Sequence, residues 1–187
     1  MCFYITATLP KEANLERLRP LLEDFKMDFT QINNLKVETQ LRPKELYFRA
    51  TKSYCDCGTV LGSQNRSQEY EKLLKSKKVK TLRKKKWSDE QIHNWIMDKI
   101  ASRPHNVSPK KTPEEINQEI NNWINFIKEI LKNVKRIGIL KHWYKFGLNI
   151  EEIVLRRTTH IKLRDLNAKT LLKLEEDVLY EIMPSYI

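Results

Sequence analysis

Only four glycines are spread over the 187 residues, so the sequence has no glycine-rich phosphate loop and no flexible linker that would divide it. Cysteine is equally scarce. Cys2, Cys55 and Cys57 are odd in number and too few for a disulfide framework in a chain this long, which fits a reducing compartment and leaves any chemistry to free thiols. No apolar run approaches the roughly 18 to 20 residues of a membrane-spanning helix, and Met1 to Thr6 lacks the basic n-region of a secretory signal. The expected location is cytoplasmic, with no membrane span. Neither a His-Glu metal helix nor a Gly-x-Ser-x-Gly elbow occurs.

What the chain does have is charge. With 40% apolar and 32% charged residues it reads as a globular protein. The net charge of +11 is concentrated in one place: Glu71 to Lys86 holds nine basic residues against one acidic. These are Lys72, Lys75, Lys77, Lys78, Lys80, Arg83, Lys84, Lys85 and Lys86. A local run of this density can neutralise successive phosphates and release their counterions, whereas a uniform excess records only composition. Tyr70 and Trp87 are the only aromatics flanking it, so base stacking is not indicated. The plain reading of the same run is a solvated helix or loop whose Leu73, Leu74, Val79 and Leu82 touch the core while lysine stems cover nearby surface.

Periodicity gives the expected order of elements. A β-branched and aromatic run from Cys2 to Leu9 reads as a strand, and Leu15, Leu18, Leu21, Leu22 and Phe25 read as a helix kinked or delayed by Pro20. Alternation of Leu35, Val37, Thr39 and Leu41 predicts a strand, as does Tyr47 to Thr51. Ser53 to Gly62, which contains both Cys55 and Cys57, reads as a loop.

Two capping boxes, Ser88 with Gln91 and Thr112 with Glu115, open helices whose stripes are Ile92, Trp95, Ile96, Ile100 and Ile116, Ile120, Trp123, Ile124, Ile127, Ile130. Arg103-Pro104 stops the first. Strands are predicted over Ile139 to Phe146 and Ile153 to Leu163, followed by a closing helix from Ala168 to Met183. In the second of those strands Arg156, His160 and Lys162 share one face, either an extension of a basic surface or the ordinary polar side of a sheet.

The fold class is therefore α+β: an antiparallel or mixed sheet with helices packed on it and a helical middle section, an elaborated ferredoxin-like arrangement being one form of it. One domain is expected over 1–187, with a helical insertion at about 63–134 between two strand-rich parts.

Three functional readings remain. The favoured one is a non-catalytic binding protein that holds RNA or DNA, largely without sequence preference, through the basic run and Arg156, His160 and Lys162. A second is docking on an acidic protein surface, as an interaction or inhibitor protein. The third is a cysteine-centred enzyme or zinc protein built on Cys2, Cys55 and Cys57, and it requires three sulfurs that converge in space with a histidine or carboxylate. Cys55-Asp56-Cys57 lacks the usual two-to-four-residue ligand gap, so buried inert cysteines with no stoichiometric metal and no cofactor are the expectation. Removal of Met1 would make Cys2 an N-terminal nucleophile, a minor variant of the enzyme reading. Of the four histidines, His142 beside Trp143 and Tyr144 is the one expected to have a partner.

Overall fold

The structure is a computed structural model, and it describes residues 2–62, 73–101 and 111–185. Lys72, Tyr70, the Arg103-Pro104 break and His105 lie outside the described residues, as does the side chain of Ile100. The chain forms two compact units, one from 1–63 with 111–187 and the other from 64–110.

The first unit is a mixed sheet of six strands in the order β2-β3-β1-β4-β6-β5. Its strands are β1 (Cys2–Pro10), β2 (Met27–Gln31), β3 (Glu45–Thr51), β4 (Ile137–Tyr144), β5 (Arg157–Lys162) and β6 (Val178–Met183). Helix α1 (Leu15–Asp24) joins β1 to β2. Within β2-β3-β1-β4 every neighbouring pair is antiparallel, which is the β-α-β-β-α-β strand order and direction. β6 then adds antiparallel to β4, and β5 adds parallel to β6.

Alternation along the strands separates two faces. Ile5, Ala7, Leu9, Phe48, Ala50, Ile137, Ile139, Val178 and Ile182 pack with Leu18 and Leu22 of α1 and with Trp123, Phe126, Ile127 and Ile130 of a long helix, 113–130. The opposite face carries Tyr47, Leu140, Tyr144 and Leu179, covered by Val37, Leu41 and Ile153. Thr6 and Tyr47 are buried on that side, with the Tyr47 hydroxyl donating to Thr6 Oγ1 at 2.9 Å and lying 2.6 Å from the Tyr144 hydroxyl.

Several elements differ from expectation. The alternating Leu35 to Leu41 is not a strand: α2 (Leu35–Glu38) is a short helix, because Asn34 Oδ1 accepts from the Lys36 and Val37 amides and fixes a helical turn there. The strand lies earlier, at β2, where Phe29 has φ 50° and the register shifts. Pro20 sits inside α1, which starts at Leu15 with Asn14 as its cap. Of the strand predicted over 153–163, only 157–162 pairs.

The closing helix predicted over 168–183 is a five-residue helix, 168–172, followed by β6. Asp177, with φ 62°, turns the chain between them. Leu171, Leu174, Val178 and Ile182 do share a core, but the last two reach it from alternate positions of a strand.

The second unit contains α3 (Lys77–Lys84) and α4 (Asp89–Ala101). Ser76 caps α3 by accepting from the Val79 amide, and Ser88 and Gln91 form the reciprocal bonds that start α4. Val79, Leu82, Ile92 and Ile96 are buried together, with Leu73, Leu74 and Trp95 against them. The helix 113–130 is α5, opened by Thr112 and Glu115 in a full capping box, and 168–172 is α6.

Candidate functional site: three converging thiols

β3 pairs with β1 only from Thr6 to Pro10, which leaves the Phe3 and Ile5 backbone groups of β1 without a strand partner on that side. The loop after β3 takes their place. The Asp56 amide donates to the Phe3 carbonyl at 2.8 Å, the Ile5 amide donates to Asp56 Oδ2 at 2.8 Å, and the Phe3 amide donates to Cys57 Sγ at 3.2 Å. Thr51 Oγ1 adds a further bond to Asp56 Oδ2 at 3.0 Å. Asp56 is wholly buried, and its neighbours on either side, Cys55 and Cys57, are half-buried.

The loop closes tightly behind this latch. Thr59 donates to the Asp56 carbonyl through both its amide and its hydroxyl, and the Gly62 amide returns to Thr59 Oγ1. A Cβ on Gly62 would lie 2.0 Å from the Asp56 carbonyl oxygen, so only glycine fits that close approach.

Fixing the loop along β1 brings the cysteines together. The sulfurs of Cys2, Cys55 and Cys57 lie within 4.8 Å of one another. All three thiols are half-buried, not fully buried as the plain structural reading expects. Burial pushes the Cys57 thiol up to about 12 and raises Cys2 as well, so in the absence of a cation those two thiols are protonated and poor nucleophiles. Tyr4 and Arg49 share the sheet face of Cys2, and the Arg49 guanidinium sits 5.5 Å above the Tyr4 ring. Arg49 also donates to the Ser53 carbonyl. Asp56 Oδ1 and Arg49 Nε are buried without a hydrogen-bond partner among the described residues.

A second cluster lies further along β4. His142 Nδ1 is 2.5 Å from Asp177 Oδ1, and its Nε2 is 3.7 Å from Glu151 Oε1, beyond hydrogen-bond range. Glu176 is close enough to complete a group of three possible ligands. Its carboxylate also accepts from the Trp143 amide, and that of Glu151 from the Lys145 and Phe146 amides, so these acids serve the backbone here.

The basic residues fall into two sets in separate units. Lys75, Lys77, Lys78, Lys80, Arg83, Lys84, Lys85 and Lys86 are exposed on and beside α3. Arg156, just before β5, and His160 on it each face an acid: Arg156 is 3.7 Å from Glu175, and His160 is 3.0 Å from Glu181, which also binds Arg42 through two contacts of 2.9 and 2.7 Å. Lys162 is exposed at the end of the strand. Arg156 and His160 thus belong to the paired, polar side of a sheet edge.

The fold and the site define a mixed α+β protein with a three-thiol cluster latched onto its first strand. Compared with family models, curated proteins and solved structures, the chain finds no match. The signal that sequence reasoning missed is Asp56 with Gly62: an acid between two cysteines and a glycine six residues on, which together fold the loop back against β1.

Proposed function

We propose that the chain is a zinc-thiolate protein in which Cys2, Cys55 and Cys57 supply three ligands and leave the fourth position to water or a substrate. The observation that carries this reading is the convergence of three sulfurs from two segments more than fifty residues apart. Zinc–sulfur bonds of about 2.3 Å in tetrahedral array put sulfurs ~3.8 Å apart, a small contraction of the observed cluster. Soft thiolates favour zinc over magnesium or calcium. The Phe3 amide directed at Cys57 Sγ is the kind of outer bond that orients a metal-bound thiolate. Three thiolates around a divalent ion carry one net negative charge, and Arg49, held between Tyr4 and Ser53, is the cation available to offset it.

Three protein ligands with an open position are the arrangement of catalytic zinc sites, whereas purely structural sites are closed by a fourth. Elemental analysis of protein purified without a histidine tag tests the reading. About one zinc per chain is expected, lost in Cys55→Ser and in Cys2→Ser while circular dichroism shows both variants folded. Metal-free protein that also fails to take zinc from a chromophoric chelator, or one copper in place of zinc, sinks the assignment.

A further inference from the structure

The segment 64–110 holds thirteen basic and five acidic residues, a net charge of +8, so one quarter of the chain carries most of the total of +11. Within it α3 is strongly one-sided. Val79 and Leu82 are buried against Ile92 and Ile96, while Lys77, Lys80 and Lys84, spaced i, i+3 and i+7, lie on the opposite side of the helix. Lys78 and Arg83 flank that row, and Lys85 and Lys86 continue it past the helix end. Among the described residues only one of these seven cations meets an acid: Arg83 Nη2 is 3.5 Å from Asp89, at an exposed pair that contributes little.

We infer that the exposed face of α3 docks on the phosphodiester backbone of a nucleic acid, without reading its bases. The outer face offers cations and Thr81 and no apolar side chain, because the two apolar residues of the helix are spent on its own core. Protein interfaces are anchored by buried aromatic or aliphatic groups at their centre, with charges confined to the rim. A row of lysines with no anchor suits a repeating line of charge. The rise between successive members of the row is about 4.5 and 6 Å, short enough for neighbouring phosphates to be neutralised together. α3 is capped at Ser76 and packed on α4, so the row is already ordered before a partner arrives and little entropy opposes docking. This inference is independent of the zinc reading, since the cysteines belong to the other unit.

Fluorescence anisotropy on the full chain provides the test, using labelled RNA and DNA of about 20 nucleotides, single-stranded and duplex, from about 50 to 200 mM salt, with polyglutamate as the acidic-protein probe. Binding that weakens with salt is expected, and the probe preferred names the nucleic acid. The variant K77Q/K80Q/K84Q should lower the salt slope by about 2 to 3 and weaken binding throughout. A charge-matched control at exposed positions of the other unit, K11Q/K135Q/K169Q, should leave the slope unchanged. Absence of binding at the lowest salt, an unaltered slope in the α3 variant with native circular dichroism, or equal affinity for polyglutamate each overturns the inference.

Discussion

In the sheet unit Glu181 stands between Arg42 and His160, Glu45 meets Arg136, and Glu175 is shared by Arg156 and Arg157. In the helical unit six of the seven cations from Lys77 to Lys86 meet no acid among the described residues. The contrast extends to the interior. The sheet buries an apolar cluster on each face, while among the described residues α3 and α4 bury only Val79, Leu82, Ile92 and Ile96 between them. A unit that neutralises its own charges holds a fixed site, here the thiol cluster; a small unit with unpaired cations is suited to meeting a polyanion. The proposed zinc site and the proposed phosphate-binding face belong to different units.

The largest effect is expected at Asp56. Replacing it by alanine removes the acceptor of the Ile5 amide and the Thr51 hydroxyl and unlatches the cysteine loop from β1. A loss of about 2 to 4 kcal/mol in urea unfolding is expected, together with loss of zinc, while Asp56→Asn keeps an acceptor and costs less. Equal costs for the two variants would show that the hydrogen bonds do not hold the loop.

A smaller effect follows from pH. Burial lifts the Asp56 carboxyl above its ordinary 3.8, and burial lifts Glu45 above its ordinary 4.5 despite the pull of Arg136. A carboxyl that ionises less readily when folded holds its proton more tightly in the native state. Its contribution to stability is therefore greatest below the unfolded pKa and declines as pH rises through the raised folded value, beyond which it is constant. Urea midpoints measured upward from about pH 4 should fall more for the parent protein than for Asp56→Asn, which cannot ionise. A difference of the opposite sign would mean that the Ile5 and Thr51 bonds outweigh burial.

The smallest change concerns backbone strain common to both units. Lys26, Lys44 and Lys86 have φ of 56°, 64° and 61°, a region that glycine enters without cost, while no glycine of the chain occupies it. Lys44→Gly should stabilise the sheet unit by roughly 0.5 to 1 kcal/mol, read as a raised urea midpoint. Lys86→Gly should do the same in the helical unit, because Lys86 and Trp87 donate back to Arg83 and Leu82 in the turn that ends α3.

What the sequence made legible was local. Both capping boxes, the apolar stripe of α5 and the strands β1, β3 and β4 follow from side chains a few residues apart, and the structure contains them. β2 was hidden because Phe29 and the register shift interrupt its alternation. β6 was hidden because Val178 and Ile182 continue a helical spacing from Leu171 and Leu174, and nothing local reveals the turn at Asp177. The thiol site illustrates the same boundary. Cys55 and Cys57 on one loop gave a weak ligand pair, and only the pairing of that loop with β1 supplies Cys2 as the third sulfur. The basic run was visible as composition, but its one-sidedness depends on which side of α3 packs on α4.

Whether these three sulfurs hold one metal ion is read by X-ray absorption at the zinc edge of the loaded full chain. Three sulfurs at about 2.3 Å with one lighter oxygen or nitrogen neighbour are predicted, and no zinc edge should remain in Cys55→Ser. A shell of oxygen and nitrogen alone, with no sulfur, would place the ion elsewhere, at His142 or another site, and would rule out the three-thiolate site.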